Sequence, residues 1–577
     1  MAETPLWVKG WISMSRSALP VFALFLTLCL APAQAVSREA GGAPRAMVVA
    51  ANPLAAAAGL KVLKAGGGAA DAAVAVQAVL GLVEPQSSGF GGGAFMVYYD
   101  AQSRTVTAYD GRETAPAAAT SALFLKPDGA PMPFFEAILS GRSTGPPGAL
   151  AMLALAHAQH GAKPWKRLFG DAERLAKRGF VVSPRLARFI SAPFAQAKAP
   201  DIAAYFTKPD GTRMGAGDVL KNPAYARTLN IIAIKGARAL YEGPIAADIA
   251  ARVQRDPGGV LTTADLAAYR AKDSAALCRP YRIYVVCTPP SPSGGPALQE
   301  MLGLLLRTDI ASRGPTDPKA WFEMAQAMRL AYADRTQYLG DPAFVDEPLQ
   351  GLLSPAYLDA RAKLIGETAG PAPVPGDPPG APPHGPDATH EAGGTSHFVI
   401  VDSQGNVVSM TTSVESVFGS GRMAGGFVLN NQLTDFSFAP KDADGRPAAN
   451  AVAAGKRPRS AMTPVIVLDQ EGRVVAAVGS PGGPAILAYE LKTLVGVLDW
   501  KLSMQQAVAL PNLIALGDRY NGETAKFAPG VVQGLAERGM TLTPGRGEDS
   551  GLHGVMSRDG VLSGGADPRR EGVALAF

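Results

Sequence analysis

Apolar positions along the chain follow two periods. Over "NPLAAAAGLKVLKAGGGAADAAVAVQAVLGLVEP" (Asn52–Pro85) they recur at helical spacing on either side of "AGGG", which predicts two alanine-rich helices with small, closely packing faces. "SGFGGGAFMVYYDAQSRTVTAYDGRETAP" (Ser88–Pro116) alternates apolar and polar residues around "DAQSR", the pattern of a β-hairpin. From about Pro146 to Leu305 the spacing is mainly helical with short loops. "PPSPSGGPALQEMLGLLL" (Pro289–Leu306) passes from a turn cluster into a helix, and "WFEMAQAMRLAYADRTQYLGDP" (Trp321–Pro342) predicts another, closed by Gly340 and Pro342. Alternation returns in "TSHFVIVD" (Thr395–Asp402) and "NVVSMTTSV" (Asn406–Val414), with Ser403, Gln404 and Gly405 between them as a three-residue hairpin loop. That loop sets the register: Asp402 faces Asn406, and Thr395 faces Ser413. Two hydroxyls are therefore expected at the open end of this hairpin.

The pattern breaks at "GPAPVPGDPPGAPPHGPD" (Gly370–Asp387), inside a Pro/Gly-rich stretch over 366–390. Such a composition predicts an exposed, mobile linker without regular elements. It ends just before Gly393, Gly394 and Thr395. Over the whole chain 65 glycines and 48 prolines are matched by 47% hydrophobic residues, so outside this stretch they mark turns and close backbone packing in a folded chain. A net charge of +5 with 18% charged residues and no lysine or arginine block argues against a nucleic-acid partner. The densest basic stretch, "KPWKRLFGDAERLAKRGF" (Lys163–Phe180), is interrupted by acidic residues and reads as a solvated helix face.

Residues 1–35 combine Lys9 and Arg16, the apolar run "ALPVFALFLTLCLA" (Ala18–Ala31) and the small-residue "APAQA" (Ala31–Ala35). This predicts a secretory signal cut near Ala35–Val36, and hence a periplasmic or secreted protein. Beyond it, the cysteines are Cys278 and Cys287, in "ALCRPYRIYVVCTPP". A turn within "RPYRIY" sets them opposite each other, where an oxidising compartment would bridge them. A single continuous strand would instead hold them about 30 Å apart.

A threonine hydroxyl needs a base, and no Ser/His/Asp arrangement is recognisable by spacing among only six histidines. Threonine at a free N-terminus carries its own, an α-amino group with pKa near 8. Such a terminus requires the chain to break between Gly394 and Thr395, and the permissive backbone at Gly393 and Gly394 suits that bending.

"TSHFVIVDSQGN", with "VLNNQLTDF" (Val428–Phe436), "KRPRSAMTPVIV" (Lys456–Val467) and "GSPGG" (Gly479–Gly483), closely resembles the γ-glutamyltranspeptidases, a family of N-terminal-nucleophile hydrolases. "DAAVAV", "FGGGAF", "GRETAP", "PPSPSGG", "AYADRTQYLGDP" and the terminal "DPRR" extend the resemblance over nearly all the chain beyond the leader. It implies an α+β fold, the four-layer αββα sandwich, made as one proenzyme. Self-cleavage at Gly394–Thr395 would give a large subunit, 36–394, and a small catalytic subunit, 395–577.

The resemblance also implies roles. Thr395 forms the acyl-enzyme and Ser413 bonds to it, where the family usually has threonine. Gly482 and Gly483 offer N–H groups to the oxyanion. Arg112 clamps the donor's α-carboxylate with Ser460, Asp435 takes the α-ammonium with Glu415, and Gln432 belongs to the same substrate-binding set. The implied donor is glutathione or another γ-glutamyl compound, and the acceptor water, an amino acid or a dipeptide. No cofactor or metal is implied.

Three positions depart from the family pattern. Glu415 stands where many members have asparagine, and a carboxylate serves the same ammonium. Ala461 replaces a second serine, removing a hydrogen bond worth about 1 kcal/mol or more. The stretch "FSFAPKDADGRPAANAVAAG" (Phe436–Gly455) is short and lacks a tyrosine to close over the donor. An open site of this kind favours hydrolysis and keeps two rivals in view. A cephalosporin or glutaryl acylase would ignore loss of the donor's α-amino group. A catalytically silent binding protein would remain uncut.

Overall fold

The computed structural model describes residues 44–387, 389–391, 393–545 and 550–577, so the expected leader lies outside the described residues. Seven strands make a first antiparallel sheet. In chain order these are β1 (Met47–Ala50), β2 (Gly93–Asp100), β3 (Thr105–Gly111), β4 (Lys272–Ala275), β7 (Thr395–Val401), β8 (Val407–Ser413) and β13 (Val573–Ala576). A second sheet holds β5 (Leu277–Tyr281), β6 (Tyr284–Thr288), β9 (Val465–Leu468), β10 (Val474–Gly479), β11 (His553–Arg558) and β12 (Val561–Ala566). The spatial orders are β13-β1-β7-β8-β2-β3-β4 and β12-β11-β10-β9-β6-β5. Both central strands of the first sheet come from the hairpin 395–413.

Strand alternation explains the layers. Along β7, Phe398 and Ile400 turn to one face and Val399 and Val401 to the other, and every residue is buried. The second set meets Ile466, Leu468, Ala477 and Val555 of the facing sheet, which makes the dry interior of the sandwich. The first set packs under helices α1 (Pro53–Lys64), α2 (Ala69–Val83) and α3 (Ala149–His160). On the opposite outer face the second sheet is covered by α4 (Gly295–Leu305), α5 (Pro318–Tyr338) and α6 (Ile486–Leu498). The result is helix, sheet, sheet, helix.

Alanine-rich α2 is buried over its whole length, as its small residues require. Its N-terminus is fixed from a distance, because Ala69 N–H donates to Asp402 Oδ2 at 3.0 Å. Asp402 also accepts from Gln404 N and Asn406 N, so one carboxylate shapes the hairpin turn and caps the helix above it. The observed register places Thr395 opposite Ser413, and Cys278 opposite Cys287 in β5–β6, where a disulfide joins them. The region 146–305, expected to be mainly helical, also contributes β4 to the first sheet and β5–β6 to the second.

Among its described residues the stretch 366–390 carries no helix or strand, yet it is tied down at several points. Arg329 Nη2 donates to Gly370 O and Pro371 O, Gly376 N to Asp334 Oδ1 at 2.7 Å, and Gly385 N to Pro447 O at 3.0 Å. The expected mobility gives way to a strap whose carbonyls and amides are hydrogen-bonded by neighbouring elements. Among the described residues no helix is long and apolar enough to cross a membrane.

His397 of β7 and His553 of β11 are both fully buried. Burial holds His397 well below its ordinary pKa, with His553 adding to the effect, and holds His553 down to about 3. The unfolded chain therefore takes up these protons first, near pH 6.5. Above that value both states are neutral. Below it each histidine costs stability, by up to about 1.4 kcal/mol per pH unit, until its folded pKa is reached. Urea midpoints should fall as pH drops from 6.5 towards 4, and His553→Gln should flatten the slope.

Candidate active site

Where β7 begins, its first hydroxyl meets the last residue of β8. Thr395 Oγ1 donates to Ser413 Oγ at 3.1 Å, and Ser413 Oγ donates to the carbonyl oxygen of Gly394 at 2.8 Å. Glu415 N–H donates to the same Ser413 oxygen at 2.8 Å. One serine hydroxyl thus links the candidate nucleophile to the adjoining peptide carbonyl. Glu415 reaches this position in a left-handed backbone conformation, φ 80°. A bulky residue adopts that conformation only where its surroundings compensate, a feature typical of active sites.

Gly394 is a steric requirement. A Cβ there would lie 2.4 Å from Glu415 O and 2.7 Å from Ser416 C, so a side chain would push the 394–395 peptide away from Ser413. Gly393 is less confined. Its Cβ would stand 3.7 Å from Gly482 C and 3.8 Å from Gly483 N, which puts the chain before Thr395 directly against that glycine pair. Gly482 and Gly483 have φ of 140° and 56°, backbone that L side chains rarely adopt.

A cavity of about 20 Å³ is lined by Thr395, Ser413, Arg112, Glu415, Gln432, Asp435, Ser460 and Gly483, together with Glu391. Gly482 borders the adjoining cleft. The residues expected from sequence to handle an acyl donor therefore converge, and Cys278 and Cys287 lie apart on the second sheet. Arg112 follows β3 directly, its guanidinium buried and four of its five N–H groups engaged. It donates to Gln432 Oε1, Asp435 Oδ2, Pro458 O at 3.1 Å and Arg459 O at 2.9 Å. Burial pushes the Asp435 carboxyl well above the usual range, the Glu415 charge adds to this, and Arg112 opposes it. Asp435 Oδ1 has no hydrogen-bond partner. A buried carboxylate with a free oxygen is prepared for a cation. Ser460 lines the same wall, its Oγ accepting from Met462 N at 3.1 Å.

Sequence reasoning missed two contributors. Arg570, in "DPRR", donates from Nη1 to Thr395 O at 2.8 Å and so fixes the candidate nucleophile's own carbonyl. Glu391, which directly follows the strap and continues it towards Thr395, is held by Arg335 Nη2 at 2.7 Å. The first had a signal in the terminal motif, and the second lies one residue past the stretch 366–390 read as linker, with no signal of its own. Among the described residues no group of His, Cys, Asp or Glu could hold a metal ion.

A wider cleft of about 590 Å³ opens on Gly393, Gly394 and Gly482, and Phe134, Phe135, Phe189 and Phe194 line it. The site thus has a small polar end and a broad aromatic approach.

Comparison with known proteins agrees with this geometry. The family model described as gamma-glutamyltranspeptidase matches residues 55–577. The glutathione hydrolase proenzyme of Bacillus subtilis (strain 168) is 36% identical over 548 residues, covering 92% of this chain and 91% of that protein. The acylase ACY 1 proenzyme of Pseudomonas sp. (strain SE83) is 33% identical, covering 92% and 94%. Among solved structures, cephalosporin acylase from Bacillus halodurans superposes with a TM-score of 0.83 at 27% identity, covering 95% of this chain and 99% of that one.

The packing around residue 394 yields a contrast to measure. Gly394→Ala should lower stability by roughly 1–3 kcal/mol, an overpacking cost, visible as a lower Tm. Gly393→Ala, whose added carbon finds ordinary contact distances, should leave Tm nearly unchanged.

Proposed function

Because the chain belongs to the γ-glutamyltranspeptidase family, with its N-terminal-nucleophile fold, we propose that it cuts itself at Gly394–Thr395 and then transfers or hydrolyses γ-glutamyl groups through Thr395. The observation that carries this reading is the Ser413 hydroxyl, bonded at once to Thr395 Oγ1 and to the Gly394 carbonyl. In the uncut chain the nitrogen of Thr395 is an amide and cannot act as base. Ser413 Oγ draws on the threonine proton while its own proton polarises the carbonyl. Thr395 Oγ1 adds to the Gly394 carbonyl carbon, and the Gly394–Thr395 C–N bond breaks as its nitrogen takes up the proton. The resulting ester is hydrolysed by water, leaving a carboxylate at Gly394 and a free amine at Thr395.

That amine is the base for turnover. It accepts the Oγ1 proton as the oxygen attacks a donor amide, and Gly482 and Gly483 N–H groups receive the oxyanion. The departing amine carries away a proton, and the acyl-enzyme passes to water or to an amino acid or dipeptide amine. Arg112 and Ser460 take the donor's α-carboxylate, and Asp435 with Glu415 its α-ammonium. In the uncut chain Arg112 and Asp435 pair with each other around a space for about one water. A donor therefore has to replace that ion pair with its own zwitterion, after the segment before Thr395 has moved.

Glutathione is the proposed donor. The large and small subunits, 36–394 and 395–577, stay together through the sheet they share. Secretion or export to the periplasm is supported by the leader expected at 1–35 and by the Cys278–Cys287 disulfide.

A second reading, acylase activity on bulkier amides, is favoured by the aromatic cleft beside Gly394 and Gly482. Ala461, in place of a second hydroxyl, points the same way. Turnover of γ-glutamyl against glutaryl amides separates the two.

Thr395→Ala should leave one unbroken chain in a denaturing mass spectrum and abolish turnover, whereas wild type should yield a fragment beginning Thr-Ser-His. A Thr395→Ala protein that still splits at this bond would overturn the mechanism. The raised Asp435 pKa has a further consequence. Binding of an α-ammonium needs the ionised carboxylate, so kcat/KM for a γ-glutamyl anilide should fall on the acid side above the ordinary carboxylate range. Asp435→Asn should lower kcat/KM by about 10-fold or more, a charge-assisted hydrogen bond being worth about 1.5–3 kcal/mol, and remove that limb.

A further inference from the structure

Two buried arginines stand beside the acyl pocket without a part in the chemistry above. Arg335 and Arg459 are 4% and 2% exposed. Both lie on the wall of a groove of about 630 Å³ that also includes Tyr332, Pro484 and Asn521. The groove adjoins the pocket closely. Arg459 precedes Ser460, its carbonyl accepts from Arg112 Nη2, and Glu391 lines both spaces.

In the uncut chain the strap supplies the counterions. Asp387 Oδ2 lies 2.8 Å from Arg459 Nη2, and Glu391 Oε1 lies 2.7 Å from Arg335 Nη2 and 3.8 Å from Arg459 Nε. The fit is incomplete. The Nε of each arginine and Oε2 of Glu391 are buried without a hydrogen-bond partner. Donors left in this state favour exchange for an anion that meets the guanidinium fork more fully.

Cleavage changes the balance. A new carboxylate at Gly394 would appear in the cleft that it shares with Glu391, which also lines the pocket of Glu415 and Asp435, and like charges at such range repel. The strap's end also loses its covalent hold at Thr395. Once it withdraws, two guanidinium groups face the groove unpaired, a costly state for buried charges.

We propose that Arg335 and Arg459 form a carboxylate-binding subsite beside the acyl pocket, occupied by Asp387 and Glu391 before cleavage and by a carboxylate of the substrate afterwards. This rests on the reading of Thr395 as the self-cleaving nucleophile. The α-carboxylate at Arg112 is a separate contact. The second carboxylate belongs either to the amine side of the scissile amide or to the far end of the acyl chain.

The test compares wild type with Arg459→Gln and Arg335→Lys, each shown by denaturing mass to be cut and by circular dichroism to be folded. Substrates are γ-glutamyl anilide, the same compound with a ring carboxylate, and glutaryl anilide. A ring carboxylate that raises wild-type kcat/KM by roughly tenfold or more, in line with a charge-assisted hydrogen bond, with the gain lost in both variants, places the anion on the amine side. No gain in wild type, with glutaryl turnover falling at least as far in the variants, places it on the acyl side. Variants that keep both the ring-carboxylate ratio and glutaryl turnover overturn the proposal.

Should neither variant fold, calorimetry with phthalate replaces them. Cut wild type should bind phthalate and uncut Thr395→Ala should not, and equal binding or none by the cut protein overturns the proposal. An uncut wild-type mass spectrum would instead reject the cleavage reading, so the two failures are distinct.

Discussion

The arrangement depends on one strand register. Because β7 and β8 pair with Thr395 against Ser413, the hydroxyl, the serine and the Gly394 carbonyl fall within hydrogen-bond reach without any residue having to travel. A slip of one residue would turn Thr395 to the helical face and leave Ser396 in its place. The protein guards against this at both ends of the hairpin. Asp402 locks the turn to the start of α2, and Arg570 grips the Thr395 carbonyl from the chain's last turn before β13. Burial on both faces of the two strands does the rest, since a slipped register would place His397 among aliphatic side chains and expose no compensating surface.

Around this fixed point the protein concentrates charge in a dry space. Arg112 is buried among Asp435, Glu415 and Glu113, and Glu113 is pushed up to about 8 by burial, with Arg112 opposing. One guanidinium beside several carboxyls cannot keep all of them ionised at neutral pH. On the proposed reading an entering α-ammonium finds at Asp435 an acid whose charge is held back by burial and by Glu415, and its arrival favours that charge. The proposed zwitterion would be recognised as a pair, since its carboxylate alone would displace Asp435 from Arg112 and leave that acid with no counterion.

Much of this was legible from residue order. The register followed from Gly405 and the alternation on either side, because antiparallel pairing propagates from a turn by simple counting. Motif residues such as Arg112, Asp435 and Gly482 were legible through resemblance, although nothing in their spacing predicted that three distant segments would surround Thr395. What stayed hidden shares one physical origin. Arg570 meets Thr395 across 175 residues and Arg335 meets Glu391 across 56, contacts that only the completed sandwich creates. The strap was misjudged for a related reason. Proline and glycine report that no helix or strand will form there, but say nothing of the arginines and carboxylates elsewhere that bind its backbone.

That strap bears on how a single chain can hold both a cut site and a substrate site. Its upstream part, near Gly370 and Gly376, is bound through backbone groups by Arg329 and Asp334, and these contacts do not involve the peptide at 394. Its downstream part is bound through side-chain charges, Asp387 and Glu391, next to that peptide. Breaking the 394–395 bond alters the electrostatics of the second part alone. On the proposed reading the charged end withdraws while the backbone-bound end keeps the large subunit in place, and the cost of breaking those buried ion pairs, about 3–5 kcal/mol, is offset when another anion completes them. The proposed exchange would let the same arginines hold the peptide in register for cleavage and later receive another carboxylate, with no rearrangement of the sheets.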